Sequence, residues 1–189
     1  MAAITIRTLE EYHSAYRKSV ENPEQFWEEI ADQLLWKKRW DKVLDWNMEE
    51  AYVKWFDGGI LNITENCLDR HLAERGEQTA IIWEPNDPRQ AGRKISYREL
   101  YSEVCRFANV LRRNGVRKGD RVCIYMPMIP ELAIAALACA RIGAVHSVVF
   151  AGFSARSVAD RINDLQCSLV LTSDGLNRGA KQMGLKSVI

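Results

Sequence analysis

The most constraining feature of this 189-residue chain is an alternation in its last third. Asp120-Arg-Val-Cys-Ile-Tyr125 is a β-prone run. Pro130 then opens a helical stretch, in the one position where its missing N–H is harmless. Gly143 closes that stretch, as glycine commonly does just past a helix end. Ala144 to Phe150 is rich in β-branched residues and reads as a strand. Ser154 caps a second helix carrying Val158, Ile162 and Leu165 at helical spacing, and Ser168 to Thr172 is the next strand. Strand–helix–strand–helix–strand within about 50 residues predicts crossover connections and a parallel sheet. The fold class expected is α/β.

Upstream, Asn62-Ile-Thr-Glu65 has the form of a helix start, a capping residue with an acid three positions on. That helix is predicted to run to Arg75 and stop at Gly76. Thr79-Ala-Ile-Ile-Trp83 is a short β-prone run. Glu84 to Arg93, with Pro85, Asn86, Asp87, Pro88 and Gly92, reads as a turn or hairpin loop. Ser96-Tyr-Arg-Glu99 is a second capping box. Leu100, Val104, Phe107, Ala108 and Leu111 follow at helical spacing, and Gly115 ends the run.

The first sixty residues have a different character. Glu10 to Leu35 reads as helix, interrupted near Asn22-Pro23, with Phe26, Ile30 and Leu34 on one face. Trp36 to Phe56 has no clean period and is expected to be an irregular wrap lying on a larger body. Its tryptophans Trp36, Trp40, Trp46 and Trp55 are read as packing residues first and as ligand-stacking residues second. The domain division expected is residues 1–60, a mostly helical extension, and residues 61–189, the start of the α/β body. The ending Leu185-Lys-Ser-Val-Ile189 reads as an uncapped helix start, so a truncated domain is expected.

Several function classes are disfavoured. Lys and Arg number 26 against 25 Asp and Glu, so no global field favours nucleic acid or an anionic membrane. An anionic ligand would need a local site. Leu132 to Ala140, between Glu131 and Arg141, is far shorter than the ~20 apolar residues of a membrane helix. The N-terminus lacks the apolar core of a signal peptide. Cys67, Cys105, Cys123, Cys139 and Cys167 form no CxxC pair and suit reduced residues of a cytoplasmic protein. His13, His71 and His146 are scattered, and no metal-ligand cluster is predicted. Neither a dinucleotide fingerprint, nor a P-loop, nor a GxSxG elbow is present.

Two loops carry the remaining chemistry. Phe150-Ala-Gly-Phe-Ser154 is a strand-to-helix turn at the carboxyl end of a strand, where open α/β sheets bind ligands. Ala151 and Gly152 would allow close approach of a ligand, and the following helix N-terminus offers N–H groups to an anion. By its residues alone the signal is weak, and a tight turn without a ligand is the better reading. Asp174-Gly-Leu-Asn-Arg178-Gly-Ala-Lys181 sets two cations three residues apart among small residues. Arg can fork onto a phosphate and Lys can add a point charge. By the residues alone, a solvated loop with two surface cations is the better reading there.

At these residues the chain resembles the AMP-forming acetyl-CoA synthetase family of the adenylate-forming superfamily. The resemblance covers nearly the whole length. It is carried by Tyr12 to Trp27, Trp55-Phe-Asp-Gly-Gly-Ile-Leu-Asn62 and Asn66-Cys-Leu-Asp-Arg-His71. More specific are Tyr125-Met-Pro-Met-Ile-Pro-Glu131, Arg141-Ile-Gly-Ala-Val-His146 and Val148-Val-Phe-Ala-Gly-Phe-Ser154. Thr172-Ser-Asp-Gly-Leu-Asn-Arg-Gly-Ala-Lys181 is similar to the loop that contacts coenzyme A in that family. Ala180 stands where the family usually has a second glycine.

The resemblance implies that acetate attacks ATP, assisted by Mg²⁺, to give acetyl-adenylate and pyrophosphate. The coenzyme A thiol then displaces AMP. It implies that Arg178, Gly179, Ala180 and Lys181 hold the nucleotide end of coenzyme A, and that Phe150, Ala151 and Gly152 line the path of its pantetheine arm. The family's ATP, acyl and Mg²⁺ sites and its C-terminal lysine lie beyond Ile189. No catalytic residue and no metal ligand is therefore expected within this chain, and the chain alone is expected to be inactive. Two rivals remain: another short-chain acyl-CoA synthetase, for propionate or acetoacetate, and a non-catalytic module that binds coenzyme A or a partner protein.

Overall fold

The computed structural model describes residues 5–178 and 181–189, with the backbone alone at Arg178 and Lys181. The chain divides into two compact units, residues 1–62 and 63–189.

The first unit opens with helix α1, Leu9–Glu21. Thr8 and Glu11 cap it reciprocally, each side chain accepting from the other's backbone N–H, which satisfies donors the helix itself leaves unpaired. Helix α2, Pro23–Ala31, follows after a break at Asn22, where the sequence places it. The tryptophan-rich stretch departs from the irregular wrap expected of it. It forms an antiparallel hairpin of β1, Lys42–Asn47, and β2, Tyr52–Asp57, with Leu44 opposite Trp55 and Trp46 opposite Val53. Its turn lacks glycine and proline, which is why it carries no turn signal. The Asn47 carboxamide oxygen closes it instead, accepting from the N–H groups of Glu49 and Glu50 at 2.9 and 3.3 Å.

The tryptophans divide in role. Trp40 is buried with Ala31 and Val43, and Trp36 and Phe56 pack on them. The Trp36 and Trp40 rings meet edge to face at 4.9 Å, and the Trp36 indole N–H donates to Ala31 O at 2.8 Å. Trp46 and Trp55 remain exposed.

The second unit begins with a broken helix: α3, Ile63–Cys67, a 3-10 turn over Asp69–His71, and α4, Leu72–Arg75. Sequence pattern predicts one helix here. The break falls beside Asp69, whose carboxylate takes two hydrogen bonds from the Arg141 guanidinium, at 3.3 and 2.5 Å. A tertiary ion pair thus competes with a weak local preference. Strands β3, Thr79–Trp83, and β4, Arg93–Ser96, form an antiparallel pair. Helix α5, Tyr97–Arg113, starts at the Ser96–Glu99 capping box and buries Leu100, Val104, Ala108 and Leu111.

The alternating segment folds as its pattern predicts. It comprises β5, Arg121–Met126, α6, Pro130–Ile142, β6, Val145–Phe150, α7, Ala155–Leu165, and β7, Leu169–Thr172. The three strands are parallel in the order β6-β5-β7. Gly143 ends α6 at φ 76°, a conformation that any side chain would disfavour. The two faces of β5 carry different cores. Val122 and Ile124 pack with α5 and α6, whereas Cys123 and Tyr125 pack with Val158 and Ile162 of α7. Helices α6 and α7 therefore cover opposite faces of the sheet.

The segment 174–181, expected to be a loop, is largely a two-stranded ribbon: β8, Gly175–Arg178, and β9, Lys181–Gly184, paired antiparallel. The ending is a 3-10 turn, Lys186–Val188, rather than the start of an α-helix. Among the described residues no helix is long and apolar enough to cross a membrane.

The thiols provide a test of this core. Burial pushes the Cys139 thiol up to about 11 and also raises that of Cys123, while Cys67 is exposed. Only the thiolate is nucleophilic. At about pH 8 a thiol reagent is expected to modify Cys67 promptly and Cys139 only after denaturation, as read by mass spectrometry of the digested protein. Prompt modification of Cys139 would contradict the packing of α6 on β5.

A cleft at the carboxyl ends of the strands

Helix α6 leaves β5 toward one face of the sheet and α7 leaves β6 toward the other. Crevices outside the carboxyl ends of the strands are where open α/β sheets take ligands. A cleft of about 1020 Å³ lies there. One side of it is the β5–α6 loop, with Pro127 and Met128. The floor is the turn Phe150-Ala151-Gly152. The ribbon, from Asp174 to Asn177 and Gln182 to Gly184, and the β3–β4 loop complete the lining.

The turn is held from beneath. Tyr125 is 1% exposed, and its hydroxyl lies 3.2 Å from Ala151 O and 3.0 Å from Phe153 O. It has one proton to share between these two carbonyls. Burial raises the Tyr125 phenol above its ordinary value, so it remains a donor. Ala151 is buried, whereas the Phe150 ring is exposed into the cleft. A Cβ at Gly152 would stand 2.5 Å from Cε1 of that ring, so glycine here lets Phe150 lie flat over the turn. The Phe150 and Phe153 rings meet edge to face at 5.9 Å, and the Arg161 guanidinium sits 4.6 Å over Phe153. The Ser154 hydroxyl accepts from Ser157 N at 3.4 Å, which occupies one of the N–H groups at the start of α7.

Of the residues singled out in the sequence, Phe150, Ala151 and Gly152 line this cleft together. Arg178 ends β8 and Lys181 begins β9, so they are Cα partners across the ribbon. Gly179 and Ala180 lie outside the described residues. Sequence pattern missed Tyr125, which reads as one more residue of a buried strand. It also missed Trp83, Asn86 and Met128, which reach the cleft only through tertiary contact. For Asn86 a signal existed: it sits between two prolines in a loop too polar to be core.

The polarity of the cleft is uneven. Trp83, Met128, Phe150, Ala151 and Gly152 offer an uncharged surface, and Glu84, Asp87 and Asp174 add carboxylates. Asp87 is neutralised locally: hydrogen bonds from the Arg89 side chain and backbone hold its carboxyl below the usual range. Such a lining disfavours an anion in the cleft interior and suits a neutral, extended group. Among the described residues no three His, Cys, Asp or Glu side chains converge to hold a metal ion, so none of them is assigned as a metal ligand.

Comparison with known proteins decides the family. Residues 68–188 match the profile described as AMP-binding enzyme, and residues 12–67 match that described as acetyl-coenzyme A synthetase N-terminus. The chain belongs to the AMP-binding enzyme family. Within the family, the acetyl-coenzyme A synthetase of Magnetococcus marinus is 51% identical over 187 residues, 98% of this chain and 29% of its own length. Acetyl-coenzyme A synthetase 2 of Pseudomonas aeruginosa is 55% identical over 178 residues, 94% of this chain and 27% of its own length. The solved structure of acetoacetyl-CoA synthetase from Streptomyces lividans superposes with a TM-score of 0.86 at 29% identity, covering 98% of this chain and 28% of that one. The chain thus spans less than a third of the length of these AMP-binding relatives. The parallel sheet belongs to the adenylate-forming fold.

Proposed function

We propose that this chain is the N-terminal portion of an AMP-forming acetate–coenzyme A ligase, and that its own contribution is half of the coenzyme A site. The observation that carries this reading is the cleft at the carboxyl ends of the parallel strands. Its lining combines an uncharged surface at Trp83, Met128 and Phe150–Gly152 with the carboxylates of Glu84, Asp87 and Asp174, and the ribbon beside it carries Arg178 and Lys181 at its strand ends. A pantetheine arm is neutral and extended and fits the interior, over Phe150, Ala151 and Gly152. The phosphates of the nucleotide end fit Arg178 and Lys181, with Gly179 and Ala180 allowing close approach between them.

Acetate is favoured over other short acids by kinship. Relatives 51–55% identical to this chain are named acetyl-coenzyme A synthetases, whereas the acetoacetyl-CoA synthetase is 29% identical. ATP and Mg²⁺ would be held by the part of the ligase that follows these residues, in a cytoplasmic protein. Acyl-adenylate formation and thiol attack would likewise take place there.

The complete ligase is expected to catalyse acetate-dependent ATP–pyrophosphate exchange, and residues 1–189 alone none. Exchange by the 189-residue chain above a contaminant control would remove the assignment of the ATP site to later residues. A complete ligase that exchanged with acetoacetate in preference to acetate would shift the assignment to the rival acid.

A further inference from the structure

One side of the cleft is lined by the end of β3 and the β3–β4 loop, residues 83–92, and this loop is built to be stiff. Pro85 and Pro88 fix φ at two points. Between and after them, Asp87 accepts from Arg89 N at 3.0 Å and from the Arg89 guanidinium at 3.0 and 2.8 Å. Gln90 N donates to Asp87 O at 3.0 Å. The loop is also fastened to both sides of the cleft. The Trp83 indole N–H donates to Met128 O at 2.9 Å, on the β5–α6 side. The Asn86 carboxamide donates to Asn177 O at 3.2 Å, on the ribbon side.

The second of these ties joins residues 91 apart in sequence, and it falls toward the ribbon's outer end. A two-stranded ribbon is marginal on its own. Its base is secured by Leu185 N donating to Asp174 O at 2.9 Å, by the Ser173 hydroxyl donating to Gly175 O at 3.0 Å, and by Leu176 and Leu185 packing on the α7 side of the sheet. Asn177 is near the other end, one residue before Arg178.

We propose that Asn86 is a positioning residue for coenzyme A: by holding the Asn177 carbonyl it fixes the ribbon backbone that carries Arg178, at a set distance from the Phe150–Gly152 turn. The proposal rests on the reading of Arg178 and Lys181 as coenzyme A contacts. Asn86 itself need touch no ligand. Its role is to spare the ligand the cost of ordering the ribbon's outer end, which would otherwise reduce affinity. Trp83 does the same for the opposite side through Met128, so the stiff loop acts as a strut across the cleft.

The test uses the complete ligase. Asn86→Asp keeps the shape of the side chain and replaces its donor with an oxygen, while Asn86→Gln keeps the donor. A single neutral hydrogen bond contributes about 0.5–1.5 kcal/mol, so Asn86→Asp and Asn86→Ala should raise the KM for coenzyme A roughly three- to tenfold. Values of kcat, acetate-dependent exchange and melting temperature should hold, and Asn86→Gln should restore part of the loss. The deciding measurement is a cycle with Arg178→Ala. If Asn86 acts through Arg178, adding Asn86→Asp to that variant should weaken coenzyme A little further; independent effects would multiply.

An unchanged KM in Asn86→Asp and Asn86→Ala would overturn the proposal. So would multiplicative effects in the cycle, or exchange falling in step with coenzyme A affinity, since both point to a general structural role. If Arg178→Ala and Lys181→Ala leave coenzyme A binding intact, the reading beneath the proposal fails, and that outcome is visible before any Asn86 variant is made.

Discussion

In the complete ligase, Arg178→Ala is expected to weaken coenzyme A by roughly ten- to hundredfold while leaving acetate-dependent ATP–pyrophosphate exchange near wild type. The magnitude follows from chemistry. A hydrogen bond to a charged group contributes about 1.5–3 kcal/mol, and about 1.4 kcal/mol is tenfold in binding. Solvation of a phosphate at the end of an exposed ribbon pulls the value toward the lower end. Lys181→Ala should act in the same direction with a smaller effect, because an ammonium offers a point charge where a guanidinium offers a fork.

The separation of the two half-reactions is what makes the test specific. On the proposed reaction, adenylate formation precedes coenzyme A and should not register a change confined to the coenzyme A site. Exchange lost with coenzyme A affinity intact would reassign the ribbon to the adenylation site. Equal loss of both, with a lowered melting temperature, would indicate damage to the fold. Arg178→Lys refines the result: it keeps the charge and loses the fork, so wild-type behaviour would mean that planar recognition is not used.

How legible this site was in the sequence depends on the range of the interactions that build it. The parallel sheet could be read because its signals are local. Pro130 and Gly143 delimit α6, Ser154 caps α7, and β-branched runs mark the strands. The placement of Phe150, Ala151 and Gly152 at the carboxyl end of a strand followed from topology alone, since a strand-to-helix turn must lie there. The walls of the cleft could not be read in the same way. Trp83 lies 45 residues from Met128, and Asn86 lies 91 from Asn177; no local pattern encodes either meeting. The β1–β2 hairpin was illegible for another reason. Its turn relies on the Asn47 side chain rather than on glycine or proline, and its strands carry charge on both faces, with Trp46 and Trp55 on one of them. The helix predicted across residues 62–75 shows the converse failure, a sound local pattern overridden by the Asp69–Arg141 pair.

Ile124→Ala is expected to produce the largest loss of stability, in the upper half of the roughly 2–5 kcal/mol range for truncating a buried Ile or Leu to alanine. Ile124 is 0% exposed in the central strand, between Val148 of β6 and Leu171 of β7. What decides the magnitude is whether the surroundings can collapse into the hole. Here they are poorly able to do so. The packing partners on α6 include Ala135, Ala138 and Cys139, each 0% exposed, and such short side chains have no reach with which to fill the space. The strand backbone is pinned by hydrogen bonds to neighbours on both sides. Ile124→Val removes a single methylene and should cost only about 0.5–1.5 kcal/mol. Ile82→Ala, at a position 65% exposed, should fall within about 0.5 kcal/mol of the parent. Denaturant unfolding of the three variants should therefore rank them Ile82→Ala, Ile124→Val, Ile124→Ala in increasing damage. A midpoint for Ile124→Ala equal to that of Ile82→Ala would mean that the α6 face of the sheet is not the close-packed core on which the cleft is built.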